Sequence, residues 1–291
     1  MTIKHLAKRS LHLIACTFGH RPVMAQVVKL APSEMLAGRT ALITGGTSGI
    51  GYAIADAFLS AGADVVLTSR TARRAEEACA RLAASDTTRQ SRVHGVAMDI
   101  SDTEHLQSAF DRIVDMLYGK PIDILVNNAG ILGGGIFDAP SEEFRAVLNT
   151  NLQGTVFMSR IVAKYMIANR IRGNILNIAS SSSLRPANSA YTLSKWGIRG
   201  LTLGLAKTLI PHGIVVNGIA PGPTATPMLK TDADKDIGHD TLPSGRYALP
   251  EEIANMAVFL VSGMGRTIVG DIVYMTGGAG LITFEDMNYT I

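Results

Sequence analysis

Short apolar runs alternate with longer stretches of helical periodicity along most of the chain beyond residue 36. The apolar runs predict strands at 40–44, 63–68, 92–98, 122–126, 174–180, 214–219 and 270–278. The periodic stretches predict helices at 50–60, 72–84, 103–118, 191–209 and 250–262. Strands separated by helices usually pair in parallel, because each crossover helix returns the chain to the same end of the sheet. The predicted fold class is therefore α/β, with a doubly wound parallel sheet flanked by helices on both faces.

The composition fits one large domain, since 47% of the 291 residues are hydrophobic and 18% are charged. Cys16 and Cys79 are too few for a disulfide framework and too far apart for a metal cluster. We therefore expect a reducing, cytoplasmic location and no metal site. No apolar stretch is long enough to span a membrane. A single domain is predicted at 36–280, followed by a tail at 281–291.

The basic residues are unevenly distributed along the chain. The first thirty positions hold no acidic residue but five basic ones, which are Lys4, Lys8, Arg9, Arg21 and Lys29. Beyond them 22 basic residues face 24 acidic ones, so the chain lacks the positive surface of a nucleic-acid-binding protein. We expect 1–35 to be a poorly ordered basic extension, or an upstream addition to a start at Met24 or Met35. An export signal is less favoured, because the apolar run before Cys16 is short.

Three glycines with the spacing G-x3-G-x-G join the first predicted strand to the first predicted helix. Glycines let the chain turn sharply and let a pyrophosphate approach the backbone at the helix N-terminus. A tight turn can also need glycine for steric reasons alone. The strand before the turn and the helix after it favour a dinucleotide-binding, Rossmann-like turn. We assign to this turn Gly45, Thr47, Ser48, Gly49, Ile50 and Gly51.

Ser69 and Arg70 stand at the end of the second predicted strand, where NAD-binding proteins usually place an acidic residue. A guanidinium beside a hydroxyl suits a 2′-phosphate, so NADP(H) is favoured over NAD(H). The alternative is that Arg70 only decorates the start of a solvated helix, as Arg73 and Arg74 do. After the third strand, Asp99 with Ile100 is predicted to contact the adenine, although Asp99 also suits an ordinary turn.

Tyr191 and Lys195 lie four residues apart in a predicted helix, so both side chains project from one face. A cation this close favours the phenolate, and we expect the pKa of Tyr191 to be lowered. Such a tyrosine is a usable general acid or base. Ser180 ends the strand just upstream and can hold a substrate oxygen. The alternative is a solvated helix face, where such pairs are common.

Several motifs occur in a fixed order: TGGTSGIG, NNAG, NLQG, a serine ahead of Y-x-x-x-K, and IAPGPTATPM. With this set the chain resembles the classical short-chain dehydrogenase/reductase family over about 36–280, in particular its 3-oxoacyl-(acyl-carrier-protein) reductases. The resemblance implies that Tyr191 donates the proton, Lys195 assists it and holds the nicotinamide ribose, and Ser180 orients the carbonyl. It also implies that Asn151 holds a water linking Lys195 to solvent, and that the protein is a homotetramer.

Further cofactor contacts follow from the same resemblance. The ribose is expected to lie against NNAG, and the nicotinamide carboxamide to be held by the loop after the sixth strand. The residues assigned in this way are Asn128, Ala129, Gly130, Pro221, Gly222, Thr224 and Thr226. Residues 228–243 are predicted to form a mobile lid over the substrate.

One departure from the family concerns the segment between Ser180 and Tyr191, which has ten residues where the family commonly has twelve. The neighbouring Ser181 and Ser182 are therefore alternatives for the role of Ser180. Arg185 lies within this shortened segment and is a candidate for binding an anionic substrate. A basic rim formed by Arg185 with Arg170 and Arg172 would suit an acidic acyl carrier protein.

The predicted function is NADP(H)-dependent interconversion of a carbonyl and a secondary alcohol, with a 3-oxoacyl thioester as the leading substrate class. The alternatives within enzymes are a small secondary alcohol, a polyol or sugar, and a steroid. A non-catalytic regulatory protein that binds a dinucleotide is the alternative from another class. Fold and family alone do not name a substrate.

Overall fold

The computed structural model describes residues 32–84, 86–229, 237–238 and 242–280. The predicted N-terminal extension up to residue 31, the tail at 281–291 and most of the predicted lid lie outside the described residues. The strands of the described part are β1 (Thr40–Ile43), β2 (Asp64–Ser69), β3 (Val93–Ala97), β4 (Ile124–Asn127), β5 (Asn174–Ile178), β6 (Val215–Pro221) and β7 (Ile272–Met275).

These strands form one sheet in the order β3-β2-β1-β4-β5-β6-β7, and all neighbouring pairs are parallel. The prediction of a doubly wound parallel sheet is confirmed. The chain moves outward from β1 to β3 and then returns to the other side of β1 with β4. A crevice opens at such a reversal, outside the carboxyl ends of the strands. The fold thus places a binding site beyond the ends of β1 and β4.

The helices follow the strands in chain order. They are α1 (Gly49–Ser60), α2 (Ala72–Ala84), α3 (Leu106–Met116), α4 (Ser141–Leu148), α5 (Thr155–Ala168), α6 (Ala190–Leu209) and α7 (Pro250–Val261). The predicted helix at 103–118 is shorter at both ends in the structure. Sequence reasoning left the elements between β4 and β5 unassigned, and this region holds α4, a π-helical turn at Asn149–Gly154, and α5. None of the described helices combines the length and apolar character needed to cross a membrane.

Side chains that alternate along the strands build two cores, one on each face of the sheet. Ile43 of β1 packs in the core that contains Phe58 of α1 and Ile253 of α7. Its neighbour Leu42 packs in the other core, with Phe110 of α3. Both strand residues are fully buried. Helices on both faces therefore cover the sheet, as predicted, and leave the carboxyl ends of its strands free to form a site.

Candidate active site

A cavity of about 770 Å³ lies at the carboxyl ends of the central strands. Predicted site residues form two of its walls, the glycine wall and the tyrosine wall. The glycine wall consists of Gly45, Thr47, Ser48, Gly49 and Ile50. The tyrosine wall consists of Ser180, Tyr191 and Lys195. The other predicted residues that line the cavity are Ser69, Arg70, Asp99, Ile100, Asn128, Ala129, Gly130, Pro221, Gly222, Thr224 and Thr226. The structure thus brings together residues that are far apart in sequence.

The predicted residues that do not line the cavity are Gly51, Asn151 and Arg185. A Cβ on Gly51 would overlap the Asn128 amide and lie 2.6 Å from the Gly45 carbonyl. Gly51 therefore lets α1 approach the strand ends rather than touching a ligand. The Asn128 side-chain amide donates to the carbonyls of Thr44, at 3.1 Å, and Gly45, at 2.9 Å. These two hydrogen bonds tie the ends of β1 and β4 together.

The glycine wall fits a phosphate group through its backbone. Gly45 and Gly49 have φ values of +65° and +55°, which favour glycine. Ser48 caps α1 in an extended conformation, and its side chain makes no capping hydrogen bond. The first amides of a helix lack partners within the helix, so those of α1 are available to an anion. This cradle has the chemistry that a dinucleotide pyrophosphate needs.

Arg70 follows β2 and lines the cavity together with Ser69. Arg74, in the first turn of α2, lines it too, although the sequence placed this residue on a solvated face. Its position only four residues after Arg70 is the signal that could have identified it. Arg73 instead pairs with Glu77 at 2.8 Å. Two cations thus reach this end of the cavity.

Asp99 lies at the same end but is engaged in a local turn. Its Oδ1 accepts from the Ser101 amide at 2.9 Å and from the Ser101 hydroxyl at 2.7 Å. This is the ordinary turn that the sequence left open as an alternative. A contact from Asp99 to an adenine stays a prediction.

Ser180 is delivered to the tyrosine wall by the end of β5. Its Oγ accepts from the Ser182 amide at 3.1 Å, and its hydroxyl is close enough to the Tyr191 phenol to lower the pKa of that phenol. The following serines form a short 3-10 turn and do not line the cavity. The Ser183 hydroxyl donates instead to the Ser180 carbonyl at 2.7 Å. This placement supports Ser180 over its neighbours as the serine of the site.

Tyr191 and Lys195 lie one turn apart near the start of α6. Ser189 caps this helix, because its Oγ accepts from the Thr192 amide at 3.2 Å. The Lys195 ammonium is 5.6 Å from the centre of the Tyr191 ring and donates to the Ile178 carbonyl at 2.9 Å. The i, i+4 geometry that the sequence predicted therefore reaches into the cavity.

The pKa of Tyr191 does not follow the sequence prediction. Burial raises this pKa, and the hydrogen bond with Ser180 offsets only part of that rise. Burial also lowers the pKa of Lys195 to about 8, because the interior disfavours its charged form. The expected lowering of the Tyr191 pKa by the nearby cation was therefore wrong. Loss of water around the phenol dominates, and the Lys195 ammonium is not among the causes that shift this pKa.

Asn151 lies buried in the π-helical turn behind the tyrosine wall. Its Oδ1 accepts from the Ile131 amide at 2.8 Å, and its Nδ2 donates to the Ile131 carbonyl at 2.9 Å. Nδ2 also contacts the Ser194 hydroxyl at 3.2 Å. The side chain thus fastens the loop after NNAG to α6. Its predicted role in holding a water stays a prediction.

Sequence reasoning missed a glycine-rich loop that holds the start of α6. The Gly134 carbonyl accepts from the Ala190 amide at 2.7 Å, and the Gly133 carbonyl accepts from the Tyr191 amide at 3.4 Å. The Glu143 carboxylate accepts from the Gly134 amide at 2.7 Å. Both glycines have positive φ values, of +118° and +74°. The run of three glycines at 133–135 was the available sequence signal.

The outer part of the cavity mixes apolar and charged side chains. Leu132, Met228 and Leu229 line it and remain 42%, 50% and 49% exposed. Glu142 and Arg145 of α4 line it as well. Aliphatic side chains of this size at an opening can cover an apolar ligand.

Arg185 does not line the cavity. Its carbonyl accepts from the Trp196 indole at 2.8 Å. Its guanidinium lies beside Gly280, where an added Cβ would be 3.1 Å from Nε. A role for Arg185 in substrate binding stays a prediction. Arg170 and Arg172 are exposed in the turn before β5, and their role toward a carrier protein is likewise untested.

Comparison with known proteins agrees with this geometry. The family model described as short chain dehydrogenase matches residues 39–236. A 3-oxoacyl-(acyl-carrier-protein) reductase of Aquifex aeolicus is 36% identical over 250 residues, covering 84% of this chain and 98% of the relative. A 2-dehydro-3-deoxy-D-gluconate 5-dehydrogenase of Bacillus subtilis is 35% identical over 255 residues, covering 84% and 95%. The relatives at this level of identity thus act on different carbonyl compounds.

Solved structures show the same likeness. A short chain dehydrogenase from Burkholderia cenocepacia in complex with NADP is 33% identical, with a TM-score of 0.73 over 84% of this chain and 99% of the other. A 3-ketoacyl-(acyl-carrier-protein) reductase from Brucella melitensis complexed with NADH is 30% identical, with a TM-score of 0.75 over 84% and 100%. The two bound cofactors differ in their 2′-phosphate, so the likeness alone leaves the choice between them open.

Proposed function

Because the chain belongs to the short-chain dehydrogenase/reductase family, and is thus an oxidoreductase acting on carbonyl and alcohol groups, we propose that it is an NADP(H)-dependent 3-oxoacyl thioester reductase. The observation that carries the reaction class is the meeting of Ser180, Tyr191 and Lys195 in the cavity that the glycine wall also lines. A regulatory protein without turnover has no need of this proton-donating set. The non-catalytic alternative therefore lacks support.

The residues of the tyrosine wall have complementary tasks in this proposal. When bound, NADP(H) supplies or accepts the hydride. Tyr191, whose pKa is raised by burial, keeps its proton until negative charge develops on the substrate oxygen, and then donates it. Ser180 hydrogen-bonds the same oxygen and fixes its position. Lys195 places a cation behind the phenol and stabilises the phenolate that remains.

The preference for NADP(H) is supported by Arg70 and Arg74, which both line the cavity beyond β2. A guanidinium pairs well with a phosphate, and Arg74 makes no ion pair among the described residues. The ribose and nicotinamide are assigned to Asn128, Ala129, Gly130, Lys195, Pro221, Gly222, Thr224 and Thr226. The affinity of the protein for NADPH and NADH, measured by protein fluorescence, tests this preference.

The substrate class rests on the apolar opening formed by Leu132, Met228 and Leu229. An aliphatic acyl chain gains from contact with these side chains, whereas a polyol gains little. A sugar acid is the second candidate, because Arg145 also lines the cavity and offers a cation to a carboxylate. A panel of 3-oxoacyl thioesters, keto sugar acids and ketosteroids, assayed with each reduced cofactor, separates the two. A higher kcat/KM for keto sugar acids than for thioesters would overturn the thioester assignment.

Association into a homotetramer is supported by apolar side chains that α6 exposes in the described part of the chain. Leu193, Trp196 and Leu203 are 41%, 41% and 53% exposed on this helix. Gly200 and Gly204 of the same helix have open space where a side chain would stand, so another helix can approach closely. Analytical ultracentrifugation of the full chain tests the assembly, and a monomer at micromolar concentration would contradict it. Docking of an acyl carrier protein near Arg170 and Arg172, and a cytoplasmic location, remain part of the proposal.

A further inference from the structure

Arg81, near the end of α2, contacts the glycine wall from outside the cavity. Its guanidinium donates to the Thr47 carbonyl at 3.0 Å. The same guanidinium lies over the Tyr52 ring, 5.2 Å from the ring centre. Tyr52 belongs to α1 and packs against the core on that face of the sheet. Arg81 thus connects α2, the glycine wall and the first turns of α1, although it does not line the cavity.

The bond to Thr47 fixes the orientation of one peptide group. The described peptides are all trans, so the carbonyl of Thr47 and the amide N–H of Ser48 point in opposite directions within one rigid plane. Because Arg81 holds the Thr47 carbonyl, the Ser48 amide N–H points in the opposite direction, away from Arg81. Ser48 lines the cavity and leads into the free amides at the start of α1.

We propose that Arg81 is a positioning residue for dinucleotide binding, which holds the Thr47–Ser48 peptide so that the Ser48 amide faces the cofactor pyrophosphate. This inference rests on the proposed function. Without Arg81 this peptide can rotate, and a bound pyrophosphate must then order it at a cost in affinity. The pyrophosphate is common to NADPH and NADH, so both cofactors depend equally on Arg81. Arg70 and Arg74 differ, because their proposed ligand is the 2′-phosphate.

The test compares Arg81→Met with Arg73→Met. Arg73 is a cation of the same helix, but it pairs with Glu77 instead of contacting the glycine wall. Dissociation constants are measured by calorimetry for NADPH, NADH and two fragments. ADP carries the pyrophosphate without a 2′-phosphate, and 2′-AMP carries a 2′-phosphate without the pyrophosphate. We expect Arg81→Met to weaken NADPH, NADH and ADP by about threefold to tenfold, the size of one ordinary net hydrogen bond, with 2′-AMP unchanged. Arg73→Met should leave all four unchanged.

Two further measurements separate positioning from a general effect on folding. Arg81→Lys keeps a cation over Tyr52 and a donor near Thr47, so it should restore most of the ADP affinity. The kcat at saturating cofactor should stay within about twofold of wild type in Arg81→Met, because the tyrosine wall is untouched. Equal ADP affinity in wild type and Arg81→Met, or an equal loss for 2′-AMP, would overturn the inference. If the wild-type protein itself binds neither NADPH nor NADH, the proposed function fails, and the ADP affinities of wild type and Arg81→Met then decide whether Arg81 positions the Ser48 amide.

Discussion

The glycine wall and the tyrosine wall act through different parts of the chain. The glycine wall offers backbone amides, and its glycines matter because they carry no side chain. The tyrosine wall offers the functional groups of Ser180, Tyr191 and Lys195, and its backbone only has to hold them in place. Substitutions should therefore act sterically on the first wall and chemically on the second. Substitutions in both regions, and the pH dependence of unfolding, test this contrast.

Tyr191→Phe tests the chemical side of the contrast. It removes only the phenol oxygen, and therefore the proton donor, while the ring still packs near Lys195. We expect kcat to fall by roughly a thousandfold, within the range of general acid catalysis. Fluorescence titration should give an unchanged dissociation constant for NADPH. Turnover within tenfold of wild type would remove Tyr191 from the proton-donor role.

The pH dependence of unfolding tests the burial of Lys195. Its pKa is about 8 in the folded protein against about 10.4 for an unperturbed lysine. Between these values the unfolded chain binds more protons than the folded one, so stability rises with pH across this window. The gain amounts to about 3 kcal/mol for this group. Urea unfolding from pH 8 to 10.5 should show it as a growing difference between wild type and Lys195→Met, since the raised pKa of Cys79 lowers the stability of both proteins equally in part of this range.

The control for this measurement is Lys207→Met, which removes an exposed lysine from the same helix. That variant should follow the wild-type pH dependence. Parallel curves for wild type and Lys195→Met would show that the ammonium of Lys195 is well solvated, contrary to the structure.

Gly51→Ala tests the steric side of the contrast directly beside the glycine wall, at the residue that lets α1 approach the strand ends. The added methyl group would overlap the Asn128 amide, which ties the ends of β1 and β4 together. We expect a loss of about 2 kcal/mol in the free energy of unfolding, as for overpacking at a tight contact, with weaker NADPH binding. Gly263→Ala is the matched control, because nothing lies near its missing side chain. If both variants unfold alike, Gly51 is not a packing requirement.

Arg70→Asp tests the choice of cofactor at the end of the cavity beyond β2, which belongs to neither wall. A carboxylate repels a 2′-phosphate and can accept from a ribose hydroxyl. We expect the ratio of kcat/KM for NADPH to that for NADH to fall by about tenfold, the effect of one charge contact. Steady-state kinetics with both cofactors measures this ratio. An unchanged ratio would make Arg70 a surface side chain.

Much of this arrangement could be predicted from sequence because it depends on local spacing. The i, i+4 relation of Tyr191 and Lys195, and the strand, glycine turn and helix around Gly45, are set within a few residues. The pKa of Tyr191 was predicted with the wrong sign, because burial depends on elements distant in sequence. The roles of Arg81 and Glu143 were missed for the same reason. Each contacts a backbone group that only the folded chain brings near.

The loop at 131–136 has a consequence for redesign of the protein. Through Gly133 and Gly134 it carries the first amides of the helix that bears Tyr191, while Leu132 lines the outer cavity. Altering its length to admit a new substrate would also shift the proton donor. Met228 and Leu229 line the same opening without contact to α6 among the described hydrogen bonds. Side-chain substitutions at 228–229 therefore change the opening without removing a hydrogen bond that holds the start of α6.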